Sequence, residues 1–388
     1  MFRGTQIGGR YVIKESIDRP EGSFARVYSA QDLRNGATVA AKILREEHLL
    51  LPEERLRSKY IAFKREADLL AGLQEDARVM RLHSMGYLWK NGAADGGSYE
   101  ALESDPASYR EFAGLMEEAI ARGWRPYLVL ERYPAQNSLH QLVTYNPRGL
   151  RLPQVEALDL ALQLVGLMVK LHAQGVVYWD AKPAHAFWDG KQLVLIDWNV
   201  SFRLDDTDSL QSMGITPEQA LRDDPLIAAR EFVYPAFVGL DFRTGSRPKS
   251  PGTPSALRVR ARAAYEHTGD VPLYGVERYL DAPVREFLSR AVQSNQFACV
   301  NELWESLTDC AVQLGWRFED KEPDPDAAQA LLHKRRALAC LQDIGDRLRE
   351  AHEELARAHE VFPGRSPDTE YLLDASDRLW RSTVLPDR

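Results

Sequence analysis

Several side chains fall where charge chemistry is easy to organise. Lys42 ends the apolar run VAAK, and a strand there can send its ammonium as a point charge toward phosphate oxygens. Upstream, the break PEGSFA (residues 20–25) contains Gly22, whose permissive backbone lets N–H groups approach the same oxygens. Glu66 follows on a helix-patterned stretch, and a lysine buried beside phosphates calls for a partner carboxylate. Farther on, WDAKPAH supplies Asp180, Lys182 and His185 directly after an apolar helix pattern. The run LVLIDW ends in Asp197, a carboxylate at a strand end where a hard cation can sit. Each signal is weak alone, because strand lysines and single turn glycines are common.

The elements that must carry these residues read as follows. RYVIKES, ARVYSAQD and ATVAAKILR alternate β-branched or aromatic with polar residues and are expected to be strands, with a hairpin turn at LRNG. Residues 53–73 carry Leu56, Tyr60, Phe63, Ala67 and Leu70 at helix-face spacing. Strands are expected near 80–89 and 127–133, separated by a Gly/Asp/Ser-rich insertion near 91–124 that leads into a helix at about 107–122. Residues 154–174 are apolar almost all round and predict a buried helix. AHAFWD and QLVLIDW form a short hairpin about Asp189–Gly190, and 209–255 reads as a long ordered loop with short helices. Helices return near 283–293 and 300–314. After the acid- and proline-rich EDKEPDPD, residues 327–362 carry a heptad seam, and 368–384 can form a returning helix. That tail is either a helical hairpin packed on the main domain or a helix for dimerising or binding a partner.

The order of these parts resembles the eukaryotic-like serine/threonine protein kinases, over roughly residues 8–315. LHAQGVVYWDAKPAHAFW…LVLIDWN is similar to the family's LHxxGIxHRDxKPxN…xxLxDFG in order and spacing. The resemblance implies an α+β, bilobal protein-kinase-like fold: a small β-rich lobe over 1–133, a large helical lobe over 134–318 and a helical extension over 319–388. It also implies ATP and Mg²⁺ (or Mn²⁺) as cofactors. Lys42 would then contact the α/β-phosphates and pair with Glu66. Asp180 would orient the attacking hydroxyl or accept its proton, Lys182 would neutralise the transferring phosphoryl group, and Asp197 would hold the cation. Gly22 and Ala40 fall with the nucleotide-binding strands, Leu130 at the back of the adenine pocket, and Glu131 to Tyr133 in the hinge segment.

The departures are as informative. The glycine loop keeps one glycine of the usual three, and Pro20 stiffens it and removes a donor. Tyr178–Trp179 replaces His–Arg, so no cation stands beside Asp180 to grip a phosphorylated loop residue, and activation by loop phosphorylation is not expected. Thr207, Ser209, Ser212 and Thr216 are the hydroxyls nearby. His185 stands where the family has an asparagine that helps hold a second cation. It either ligates a metal, leaves the chemistry to the Asp197 cation, marks a site that has lost transfer, or simply makes a hydrogen bond. Trp198–Asn199 replaces Phe–Gly, with Asn199 suited to a positive φ. FVYPAFVG (232–239) and DVPLYG (270–275) are aligned with the family's Ala-Pro-Glu segment and its buried Asp-containing helix, with an insertion between them.

Composition narrows the class. Among 388 residues, 49 basic and 57 acidic side chains leave a net charge of −8 without a basic block, which argues against nucleic acid and anionic membrane as partners. No apolar run approaches the ~18 residues of a spanning helix, and no secretory signal is read at the start. Cys299, Cys310 and Cys340 lie apart without metal spacing, as suits free thiols in the cytoplasm. The expected function is transfer of the ATP γ-phosphate to a protein Ser/Thr hydroxyl. The alternatives are a pseudokinase that engages a protein partner, and transfer of phosphate to a small molecule or of AMP.

Overall fold

Alternation of apolar and polar residues organises the N-terminal part into a closed barrel. Its strands are β1 (Gln6–Ile7), β2 (Tyr11–Ser16), β3 (Ala25–Asp32), β4 (Thr38–Leu44), β5 (Leu82–Trp89), β6 (Ser98–Ser104) and β7 (Arg125–Glu131), in the order β1-β2-β3-β4-β7-β5-β6. The computed structural model describes residues 3–17, 24–89, 97–140, 152, 154–239, 280–293, 296–316, 351–353, 355–357 and 375. Gly22 with its loop, DVPLYG, Cys340 and all of 327–362 except 351–353 and 355–357 lie outside the described residues.

The barrel corrects the expectation for the 91–124 insertion. From residue 97 the segment forms β6, which pairs antiparallel with β5 and parallel with β1 (Gln6↔Ser98, Ile7↔Tyr99), so it closes the barrel. A polar seam fixes the join. Arg10 bridges Asp32 (2.7 Å) and Glu103 (2.5 Å), and the Tyr11 hydroxyl meets Ser84 Oγ at 2.8 Å and donates to Glu103 at 3.1 Å. The helix expected at 107–122 divides into α2 (Tyr109–Gly114) and α3 (Met116–Arg122). Both pack against α1 (Glu53–Gly72), with Arg57 paired to Glu117 at 2.6 Å and the Tyr60 hydroxyl donating to the Trp124 carbonyl.

Helices follow the sheet. The apolar α4 (Gln154–Ala173) is buried almost all round and carries the core of this part. It is followed by β8 (Val176–Val177), β9 (Ala186–Trp188), β10 (Leu193–Leu195) and β11 (Phe202–Arg203), pairing β9 with β10 and β8 with β11. Asp189 Oδ1 accepts from the N–H groups of Lys191 and Gln192 at 2.8 Å, which sets the β9–β10 turn.

The stretch from 209, expected as a long loop with short helices, is mostly helical as far as it is described. α5 (Thr207–Met213) is capped by Asp206, and α6 (Pro217–Ala228) opens on a Thr216/Gln219 capping box. A π-type turn (Ala229–Val233) then leads into α7 (Tyr234–Val238). FVYPAFVG, matched in the sequence to the family's Ala-Pro-Glu segment, is thus the buried end of a helical run. Pro225 inside α6 and the Asp- and Pro-rich composition disguise the helix in the sequence. α8 (Ala282–Ala291) and α9 (Val300–Gln313) pack together, and α9 lies against α4.

Gly86 reports on the barrel closure. A Cβ there would come to 2.0 Å from the Leu102 carbonyl oxygen of β6 and 2.9 Å from the Tyr127 ring. Gly86→Ala is therefore expected to cost about 1–3 kcal/mol or more, read as a lowered Tm. An unchanged Tm would mean that β6 does not lie so close to β5.

Candidate active site

Three independent stretches converge on one ammonium. Lys42 sits in β4, between β3 (Val27↔Lys42) and β7 (Lys42↔Leu128), and only 6% of it is exposed. Its Nζ donates to both oxygens of Glu66 on α1 at 2.8 Å and to Asp197 Oδ1, after β10, at 2.7 Å. Glu66 is fully buried, while the Asp197 side chain is about a third exposed. Burial opposes the charge on Lys42, but Asp197 and Glu66 outweigh it and hold the ammonium well above its ordinary range. Burial likewise opposes ionisation of Asp197, yet Lys42, then His185 and Lys182, keep its carboxyl far below the usual range.

A second charge centre faces it. Lys182 Nζ donates to both oxygens of Asp180 at 2.8 Å. His185, in the short turn Pro183–His185, lies between the two centres. Its Nδ1 is 3.1 Å from Asp180 Oδ2 and its Nε2 is 3.3 Å from Asp197 Oδ2. The Nδ1 approach is close but badly directed, which leaves this buried nitrogen without a well-formed hydrogen bond. Burial would raise the Asp180 carboxyl, but His185 and Lys182 hold it below its ordinary value.

The backbone pays for this placement in strain at two residues. Trp179 (φ 65°) and Asp197 (φ 60°) adopt the left-handed conformation, uncommon for any residue but glycine and most so for a side chain as bulky as Trp179. The left-handed residue is therefore Asp197 and not Asn199. Asp224, fully buried on α6, accepts the Trp179 N–H at 2.8 Å and meets His172 Nε2 at 2.9 Å, which fixes the turn before Asp180. Around Asp197, the Tyr178 hydroxyl donates to the Ile196 carbonyl at 2.7 Å, Ile196 N donates to the His185 carbonyl at 2.9 Å, and the Tyr178 and Trp198 rings lie 4.8 Å apart. Asp224 was missed in the sequence, although Thr216-x-x-Gln219 before it carries a helix-start signal.

The remaining expected residues line one side of this arrangement. Ala40 of β4 pairs with Leu130 of β7, and both are buried. Glu131 ends β7 with its N–H donating to the Arg81 carbonyl at 2.9 Å. The Tyr133 hydroxyl donates to Glu131 Oε2 at 2.9 Å, and its ring lies 5.3 Å from Phe187 of β9. The Phe24 ring stacks on Phe63 of α1 at 5.3 Å and stands 6.0 Å from Lys42 Nζ.

Among the described residues no three His, Cys, Asp or Glu side chains converge as a metal cage. The donor set suits an Mg²⁺ that takes one or two carboxylates from a protein and its other ligands from phosphates and water, with Asp197 the partly exposed carboxylate available for it. His185 Nδ1, a nitrogen donor, suits a softer cation better.

The chain has relatives of known class. It is 26% identical over 274 residues to a probable serine/threonine-protein kinase PknB of Bifidobacterium longum, covering 68% of this chain and 33% of that protein. It is 25% identical over 278 residues to the probable serine/threonine-protein kinase SCO3848 of Streptomyces coelicolor, covering 69% and 34%. No protein-family model matches it. The chain spans about a third of the length of the curated relatives it matches. The chain is a distant homologue of bacterial serine/threonine protein kinases and falls within the kinase superfamily.

Asp224→Ala is expected to leave the Trp179 amide and His172 without their acceptor, costing about 1–3 kcal/mol in thermal unfolding. Asp224→Asn keeps an acceptor oxygen and should cost less. Equal losses for the two variants would show that the Trp179 contact is not what matters.

Proposed function

We propose that the chain is an ATP-dependent phosphotransferase of the protein-kinase type, which moves the γ-phosphate of ATP to a protein serine or threonine hydroxyl. The observation that carries this reading is the single ammonium of Lys42 gripped by Glu66 and Asp197, with the Asp180–Lys182 pair facing it through His185. In this reading residues 1–133 are the small lobe, 134–318 the large lobe and 319–388 a helical extension.

The roles follow from the chemistry of the groups. Lys42, kept charged and immobile, offers a fixed positive site to phosphate oxygens, and Glu66 keeps it from swinging away. Asp180, ionised and directed by Lys182, orients the acceptor hydroxyl and takes its proton as the hydroxyl oxygen bonds to the γ-phosphorus and the bond from that phosphorus to the ADP oxygen breaks, releasing ADP. Lys182 stands beside it to balance charge on the phosphoryl oxygens. Mg²⁺ held by Asp197 would neutralise charge on the phosphates. Ala40 and Leu130 form a flat apolar wall for the base, and the backbone of residues 131–133 supplies polar edges next to it.

A pseudokinase is the second reading, favoured first by the His185 ring, which stands between Asp180 and Asp197, where a second cation would have to approach. Residue 22 is also the single glycine in its loop. A pseudokinase would act through a protein partner.

Intact-mass spectrometry after incubation with ATP and Mg²⁺ or Mn²⁺, with a generic protein acceptor present, separates the two. The phosphotransferase reading predicts phosphate on the chain or acceptor and a loss of about 10²–10⁴-fold in Asp180→Asn. It also predicts that His185→Asn retains transfer with Mg²⁺. No transfer under either metal favours the pseudokinase, and addition of AMP would point to nucleotide transfer.

A further inference from the structure

Two side chains that flank Glu66 on α1 have no part in the phosphate chemistry, yet both reach the segment that follows Asp197. Arg65 Nη2 donates to the Asn199 carbonyl at 2.7 Å, and its Nη1 donates to Ser209 Oγ and lies 3.9 Å from Asp206 Oδ2. One turn along, Asp68 Oδ2 accepts from Arg203 Nε at 3.2 Å. Residues three apart share a helix face, so both contacts leave α1 on the same side.

What they grip is itself tied down. β11 pairs with β8, and Leu204 N donates to the Gly175 carbonyl at 2.7 Å. Asp206 caps α5 through the Ser209 N–H at 3.0 Å, and Ser209 Oγ donates back to Asp206 at 2.5 Å. Thr216 caps α6 immediately afterwards. Of the hydroxyls in this stretch, Ser209 is buried and engaged, and Thr216 serves as a helix cap. Thr207 is exposed but is not one of the groups that meet α1. Nearer its start, α1 is also held by the Arg57–Glu117 pair with α3, and the Tyr60 hydroxyl donates to the Trp124 carbonyl just beyond α3.

We propose that Arg65, seconded by Asp68, is a positioning residue: it clamps α1 to residues 199–209, so that Glu66 is delivered to Lys42 by the chain itself, with no phosphate on that segment. The proposal rests on the phosphotransferase reading for its effect on turnover, but the clamp is a property of the fold. A planar guanidinium satisfies a carbonyl and a hydroxyl at once from one rigid fork, whereas a lysine reaches a single acceptor at a time.

The test compares the full chain with Arg65→Met and Arg65→Lys by ATP kinetics and by hydrogen exchange. Arg65→Met is expected to raise the KM for ATP about tenfold, with a smaller fall in kcat. Exchange is expected to quicken in residues 62–72 and 199–213 and to stay unchanged in β3 and β4. Arg65→Lys should recover part of both effects, and phosphatase treatment of the wild type should leave KM where it was. Unchanged KM and exchange in Arg65→Met would overturn the proposal, as would a uniform rise in exchange across the chain or a higher KM after phosphatase. A wild-type chain that transfers no phosphate would sink the phosphotransferase reading instead, and the local exchange pattern would then decide the clamp alone.

Discussion

The structure turns on one buried ammonium that needs two carboxylates from distant parts of the chain. Glu66 is 24 residues from Lys42, and Asp197 is 155 residues from it. An unpaired charge at so buried a position costs about 3–5 kcal/mol. The assembled state is therefore favoured only when α1 is seated on the barrel and the turn after β10 is closed. Every other feature of the site can be read as serving one of those two conditions.

The first condition is met at several points along α1. α2 and α3 pack on it, and the short stretch 199–213 is joined to it by Arg65 and Asp68. The second is met by tolerating strain. Asp197 turns into the left-handed region so that one oxygen reaches Lys42 and the other faces His185, while Tyr178 holds the preceding carbonyl. The same device recurs at Trp179, where buried Asp224 holds the strained amide and so aims Asp180. Two strained turns, each stapled by a buried partner, place the two carboxylates on either side of one imidazole.

How much of this was legible in the sequence depends on how local each signal is. The strands around VAAK, the helix bearing Glu66, the apolar helix before WDAKPAH and the hairpin ending in Asp197 all follow from short-range periodicity, and the structure has them. β6 was not legible, because SYEALES reads as a strand only once β1 and β5 stand on either side of it. Asp224 was hidden because Pro225 and neighbouring acids make its helix read as a loop. The positive φ was expected at Asn199 from side-chain tolerance, but the demand of Lys42 for a carboxylate places it at Asp197. Long-range partners decided the first and the third, whereas local composition concealed the second.

The most direct test of this account is calorimetric titration of the unphosphorylated chain with ATP in the presence and absence of Mg²⁺. A site assembled around Lys42 by the chain's own contacts predicts binding at one nucleotide per chain that depends on Mg²⁺ and disappears in Lys42→Met. Binding that ignores the metal and survives Lys42→Met, or no binding at all, would contradict it.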